Sequence, residues 1–345
     1  MSSSIAQSRR RIIVSSPGVV EVTEEPTPTV GPREALVSLL VAGVCGSDTH
    51  AMHGLHPQMT LPYYPGHEVV GIVEAVGSDV VGLPIGTRVT PEPTLPCRDC
   101  KMCRTDRENI CENLQFFGCG YREGGMADLF TIPADRLHVI PEDFTDLQAA
   151  LIEPLATPVH AVGLAGDLTG KAIAILGCGT IGLLVLAAAR YHGARRIVVT
   201  DVLASKRERA LRLGADVALD ATAPDIADQV RTQLGESADV VFDCVSIQST
   251  VDSAVEMVGK GGTVVIVGVP QRSVVVQLPS IQDRQIRIQG AATYLARDYA
   301  VAVDIIRSGA VSTDEMVTSS YRLADSASAF GAAVGGSEVK VVITA

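Results

Sequence analysis

A cysteine, a histidine and a glutamate from three distant stretches carry the chemistry most worth reading in this chain. Cys45 stands in Val44-Cys45-Gly46-Ser47-Asp48. His67 stands in Pro65-Gly66-His67-Glu68-Val69-Val70-Gly71, and Glu153 in Leu151-Ile152-Glu153-Pro154. A thiol, an imidazole and a carboxylate are the ligand types of an open zinc site, where three protein groups leave one position for water or substrate. A second set is Cys97-x2-Cys100-x2-Cys103-x7-Cys111, in a polar, charged lobe. Four thiolates at this spacing can close a tetrahedron around a structural zinc. Cys119 lies outside the spacing and reads as an ordinary buried thiol.

A third constellation suits a dinucleotide. The apolar run Ala172-Ile173-Ala174-Ile175-Leu176 leads straight into Gly177-Cys178-Gly179-Thr180-Ile181-Gly182. An Ala/Leu-rich helix to Tyr191 and a strand from Arg196 to Thr200 follow. Asp201 comes next, 19 residues after the last glycine. Strand, glycine turn, helix, strand and acid in this order form a dinucleotide fingerprint: the glycines let the backbone approach a pyrophosphate at the helix N-terminus. Asp201 accepts hydrogen bonds from ribose hydroxyls and repels a 2′-phosphate, which favours NAD over NADP. Arg207, six residues on, could accommodate that phosphate, but reads first as a solvent-facing residue of the next helix.

The elements that must position these groups fall into two textures. Residues 11–41 alternate short apolar runs with proline-rich turns, an all-β opening. Cys45 to His56 reads as a loop or short helix, and strands are expected at Val69–Val76, Thr87–Thr90 and within 125–140. Gln148–Gly166 has helical spacing interrupted at Pro154 and Pro158. From Lys171 strands and helices alternate: helix Ala204–Leu213, strand Val217–Leu219, helix Asp225–Leu234, strand Asp239–Val245, helix Thr250–Val258, strand Thr263–Gly268 and a strand near Ile286–Gly290. Six strands with intervening helices predict a doubly wound parallel sheet. The tail from Tyr299 offers one helix and a last strand, Val339–Thr344, expected to return to the β-rich part.

Length and composition limit the function classes. The chain has 345 residues, 47% hydrophobic and 19% charged, which predicts a well-buried protein of about two domains. No apolar run is long enough to span a membrane, and Met1 to Arg11 lacks the apolar core of a secretory signal. A net charge of −11 leaves no basic surplus for nucleic acid. Arg9-Arg10-Arg11 reads as the solvated start of the first strand. Eight cysteines, four of them within fifteen residues, point to metal binding in a reducing cytoplasm rather than to disulfides.

Gly66-His67-Glu68-x2-Gly71, the four-cysteine lobe and the central glycine motif, in this order, resemble the zinc-dependent medium-chain dehydrogenase/reductases over essentially the whole chain. Cys45-Gly46-Ser47-Asp48 together with Ile152-Glu153-Pro154 resembles the polyol branch typified by sorbitol dehydrogenase. The alcohol dehydrogenase branch has a cysteine where Glu153 stands. The resemblance implies an α/β protein with a GroES-like β domain and a Rossmann domain. Its expected divisions are residues 1–158, with the zinc lobe at 95–112, then 159–295 for the nucleotide, and 296–345 returning to the catalytic domain. It implies one catalytic and one structural zinc, NAD, a small alcohol substrate and a homodimer or homotetramer. Cys45 and His67 match zinc ligands, and Glu68 and Glu153 compete for the third place. Ser47 matches the hydroxyl that relays the alcohol proton and His50 the relay's outer member. Cys97, Cys100, Cys103 and Cys111 match the structural lobe.

Two departures bear on the substrate. Ala51 stands where sorbitol dehydrogenases have a tyrosine, and Thr293-Tyr294 where they have Arg-Tyr. Both remove groups that contact a polyol. The expected activity is NAD-dependent oxidation of a secondary alcohol: a polyol, sugar alcohol, cyclitol or vicinal diol. The rivals are amino-alcohol oxidation of the threonine dehydrogenase type and an NAD-binding protein without turnover.

Overall fold

A computed structural model describes residues 6–54 and 59–345; Leu55 and His56 of the expected Cys45–His56 segment lie outside them. The chain divides into two compact units, residues 1–153 with 316–345, and residues 154–315. Both divisions differ from the expected 158/159 and 295/296. The helix Ala296–Arg307 stays with the second unit, where His160 Nδ1 meets Asp298 Oδ2 at 2.9 Å and Tyr294 packs edge-on against Tyr299 at 5.5 Å.

The first unit is β-rich. Ser8–Ser16 and Val19–Pro26 form an antiparallel hairpin. The main sheet runs in the order Val317–Arg322, Lys340–Thr344, Glu34–Val44, Glu68–Val76, Arg88–Pro91, Leu137–Val139, and Leu129–Pro133 also pairs with Glu34–Val44. The last strand does return here: Val341 pairs with Val44 and Thr344 with Val41. Across the next seam Gly43 lies opposite Glu68, so the loop leaving one strand and the turn entering its neighbour meet at one end of the sheet. Two elements near the C-terminus escape the sequence pattern. Val317–Arg322 is a polar edge strand, and Ser326–Val334 is an Ala/Ser/Gly helix whose buried positions are mostly small.

The triple arginine is a second departure. Arg9 is buried, with Nη1 donating to Glu123 Oε2 at 2.7 Å and Nη2 to Glu123 Oε1 at 2.8 Å. Arg11 is buried too, pairs with Glu25 and lies 3.3 Å over the Tyr64 ring. Only Arg10 faces solvent, where it pairs with Asp128. Strand alternation sends neighbouring arginines to opposite faces, and carboxylates on other segments compensate the buried pair.

The second unit is a six-stranded sheet in the order Val217–Asp220, Arg196–Asp201, Ala172–Leu176, Ala238–Asp243, Val258–Ile266, Arg287–Gly290, every adjacent pair parallel. That is a doubly wound order, with its ligand crevice where the winding reverses, at the carboxyl ends of Ala172–Leu176 and its neighbours. Ala172–Leu176 is buried at every position, which is why it reads as a continuous apolar run. Helix Ile152–Ala165 is continuous through Pro158, and Pro154 falls in its first turn, where a missing N–H costs little. A further short helix, Leu278–Arg284, was not expected. Among the described residues no helix is long and apolar enough to cross a membrane.

Candidate active site

Two turns at one end of the β-rich sheet bring Cys45 and His67, two members of the first metal-ligand set, together. Cys45 follows strand Glu34–Val44 and caps helix Gly46–Met52. His67 immediately precedes strand Glu68–Val76, which Glu68 opens. Gly66 can only be glycine: its φ is +108°, and a Cβ there would lie 2.3 Å from the Met126 nitrogen. The donor atoms of Cys45, His67 and Glu68 lie within 4.8 Å of one another. Glu153, buried at the start of its helix, is outside that group, though its charge acts on Lys340 beside Glu68.

Glu68 is already engaged. Lys340 Nζ lies 2.6 Å from each of its carboxylate oxygens, and both side chains are 2% exposed. Burial alone would lower the Lys340 pKa, but the Glu68 carboxylate together with Cys45 and Glu153 outweighs it and holds the value above the ordinary lysine range. Lys340 is a site residue that sequence reading missed. Its signal, a lysine opening an apolar strand, is faint without the pairing.

His67 is walled in. The Phe116 ring stands edge-on at 5.8 Å. Nδ1 lies 3.3 Å from Cys119 Sγ and 4.0 Å from Asp48 Oδ1. Burial would lower the His67 pKa, yet Cys119, Asp48 and Cys45 raise it well above its ordinary value. The reading of Cys119 as an ordinary buried thiol is therefore corrected: it touches the imidazole of a candidate ligand. Burial pushes its own thiol up to about 11. Ser47 lies half-buried in the first turn of the Cys45-capped helix, and His50 is exposed one turn later, the order a proton relay to solvent requires.

The second ligand set also assembles. The four sulfurs of Cys97, Cys100, Cys103 and Cys111 lie within 4.8 Å of one another, with Cys100 Sγ 3.5 Å from Cys103 Sγ and 3.8 Å from Cys111 Sγ. Sulfurs bound tetrahedrally at ~2.3 Å sit roughly 3.8 Å apart. Every described cysteine is free, so these separations are not disulfides. Backbone N–H groups donate to the sulfurs, Cys100 to Cys97 at 3.4 Å and Cys97 to Cys111 at 3.3 Å. Hydrogen bonds from Asp99 and Cys100 bring the Cys97 thiol down to about 6. The set fits a structural zinc.

In the nucleotide unit, Gly177 has φ +94°, and a Cβ on Gly182 would fall 1.8 Å from the Gly177 oxygen. A Cβ on Gly179 would meet nothing within 4 Å, leaving room for a pyrophosphate at the start of helix Thr180–Tyr191, where Thr180 and Ile181 form the first turn. Asp201 Oδ2 accepts the Cys178 N–H at 2.8 Å and Oδ1 the Leu203 N–H at 2.9 Å, so the acid faces the glycine loop. Arg207 is half-buried, not solvent-facing: Nη1 donates to the carbonyls of Asp201 and Val202 at 2.8 and 3.0 Å. Asp243, unnoticed in the sequence, ends the neighbouring strand wholly buried and orders the next turn through the Val245 and Ser246 N–H groups and the Thr250 hydroxyl. The residues fit a dinucleotide.

Comparison with known proteins agrees with both units. The family model described as alcohol dehydrogenase GroES-like domain matches residues 31–142, and that described as zinc-binding dehydrogenase matches residues 180–308. D-xylulose reductase A of Aspergillus niger is 30% identical over 333 residues, 94% of this chain and 93% of that protein. A zinc-binding dehydrogenase from Sinorhizobium meliloti, solved bound to NADP, superposes with a TM-score of 0.92 at 32% identity, covering 99% of this chain and 100% of that one. L-idonate 5-dehydrogenase from Escherichia coli superposes at 0.88 with 26% identity, covering 98% of each chain.

Proposed function

Because this chain belongs to the zinc-dependent medium-chain dehydrogenase/reductases, we propose that it oxidises a secondary alcohol, of the polyol, sugar alcohol, cyclitol or vicinal diol class, with NAD. The observation that carries the reading is the convergence of half-buried Cys45 with buried His67 and Glu68 beside the Ser47 helix; Glu153 lies outside that group and is proposed as the third ligand from its residue type and the engagement of Glu68. Cys45, His67 and Glu153 would hold the catalytic zinc. Glu68 is set aside because Lys340 engages both of its oxygens at 2.6 Å. Zinc supplies a Lewis acid that lowers the pKa of the substrate hydroxyl, and NAD the hydride acceptor. Ser47 takes the hydroxyl proton and hands it outward to His50, which is open to solvent. Kinship with a D-xylulose reductase supports a polyol or ketose substrate. The test is a screen of polyols, vicinal diols, cyclitols and L-threonine with zinc-replete protein, following NADH or NADPH absorbance. Turnover of L-threonine alone would replace the polyol reading, and no turnover at all would overturn the enzyme.

The nucleotide preference rests on Asp201, which faces the glycine loop, and on Arg207, whose guanidinium is bound to carbonyls. Wild-type kcat/KM is expected to be higher with NAD, and Asp201→Ala to narrow the gap. A higher kcat/KM with NADP, the nucleotide of the Sinorhizobium meliloti protein, would make Arg207 the determinant instead.

Cys97, Cys100, Cys103 and Cys111 would hold a second, structural zinc, giving two per chain. Cys100→Ser is expected to lose one zinc on elemental analysis and to unfold at a lower temperature, since the lobe is held by its metal rather than by a core. Two zincs retained in that variant would refute the assignment. The free thiols suit a reducing compartment such as the cytoplasm, which cell fractionation checks. Arg287–Gly290 is an edge strand carrying exposed Ile288, and it supports a homodimer or homotetramer; a monomer in sedimentation would count against that.

A further inference from the structure

The six-stranded parallel sheet has two ends, and the nucleotide crevice uses only one of them. At the other, a cavity of about 350 Å³ opens where the amino ends of four strands meet, wholly within the second unit. Lys171 stands before Ala172–Leu176, Ser237 before Ala238–Asp243, and Arg287 opens Arg287–Gly290, while Thr263 lies within Val258–Ile266. The volume is at the lower end of the range that small-molecule sites occupy.

A glycine turn brings a further cation to the rim. The ladder pairs Ala238 with Val258 and then Val240 with Thr263, so Gly259-Lys260-Gly261-Gly262 loops out between them. A Cβ on Gly262 would lie 2.9 Å from the Asp239 backbone oxygen, so the turn closes on its neighbour strand only with glycine there. Lys260 is exposed on this turn and lines the cavity.

Three cations, Lys171, Lys260 and Arg287, thus share one cavity in a chain whose net charge is −11. Acids close by in sequence are engaged elsewhere. Glu236 pairs with Arg195, and Asp167 accepts the Thr169 N–H at 2.9 Å, with Lys171 adding only a through-space attraction. The carboxylate in the lining, Asp239, accepts the Ala172 N–H at 2.8 Å through Oδ2. Its remaining acceptor capacity, with the hydroxyls of Ser237 and Thr263, suits hydroxyl groups on a ligand.

We propose that this cavity binds a small phosphate monoester bearing hydroxyl groups, the cations taking the phosphate and Asp239 the hydroxyls. Lysine and arginine make charge-assisted hydrogen bonds to phosphate oxygens. Inorganic phosphate lacks the carbon-borne hydroxyls and fills less of the cavity. Two of the three cations, Lys260 and Arg287, are exposed, so binding weakens with added salt.

The test is isothermal titration calorimetry of zinc-loaded protein, saturated with NADH so that the nucleotide crevice is filled, against glycerol 3-phosphate, inorganic phosphate and glycerol. Wild type is expected to bind glycerol 3-phosphate more tightly than inorganic phosphate, and glycerol not measurably. Arg287 belongs to the edge strand proposed for self-association, so the variants fall on Lys171 and Lys260. Lys171→Gln and Lys260→Gln are each expected to weaken ester binding on the order of 10-fold, the scale of one charged hydrogen bond, and the double variant on the order of 100-fold. NADH affinity and unfolding temperature should hold in all three. No ester binding by wild type, or equal binding by wild type and the double variant, would overturn the site. Inorganic phosphate or glycerol binding as tightly as the ester would refute the ligand class.

Discussion

Ser47→Ala is expected to lower kcat by roughly 10²- to 10⁴-fold, the usual contribution of a positioned acid–base group, with zinc content and NADH affinity intact. Ser47 lies two residues after Cys45, half-buried in the first turn of a helix that Cys45 itself caps. Its hydroxyl is placed by the same turn that places the thiol. His50, one turn on, is exposed, so water can stand in for it. His50→Ala should therefore cost less than Ser47→Ala, and its deficit should shrink as pH rises and solvent becomes a better base. Steady-state kinetics on the best substrate from the screen, across about pH 6–9 to bracket the free imidazole pKa, decides this. Near wild-type rates for Ser47→Ala over that range would leave solvent as the base and remove the relay.

Lys340→Met is expected to lower the unfolding free energy by about 3–5 kcal/mol, because it leaves the Glu68 carboxylate buried and unpaired. Both partners are 2% exposed and touch through two 2.6 Å contacts, so solvent screening is slight. Adding Glu68→Gln should recover much of the loss, since the second change removes the stranded charge. The coupling has a chemical side as well: once released, Glu68 can compete with Glu153 for the metal. In the cobalt-substituted single variant this should alter the visible spectrum, and the double variant should reverse it. Denaturant midpoints of the three proteins measure the stability. A single variant within ~1 kcal/mol of wild type would show that Lys340 does not hold Glu68.

What the chain declares about itself is local. Gly177-x-Gly179-x2-Gly182 after an apolar strand is legible because one turn must both pass close to a pyrophosphate and pack a helix on its own strand. Those requirements fall on neighbouring residues, and Gly182 meets the Gly177 oxygen as they dictate. The cysteine lobe is legible for the same reason, its four cysteines lying within fifteen residues. The last strand could be read as returning because its apolar run needed a sheet to cover it. Cys45, His67 and Glu153 could be suspected from residue type alone.

Tertiary structure decided how these groups are tied to the rest. Lys340 meets Glu68 across 272 residues, and Arg9 meets Glu123 across 114. Cys119 meets His67 across 52. None of these pairs has a spacing that periodicity or propensity could register. A lysine opening an apolar strand, or an arginine in a basic run, reads as a surface charge until the sheet order brings a carboxylate to it. The boundary near residue 315 is tertiary too, with Asp298 meeting His160 inside the second unit. Local sequence sets which backbone turns and metal-ligand types are available. Which buried charge neutralises which depends on contacts that exist only once distant strands lie side by side.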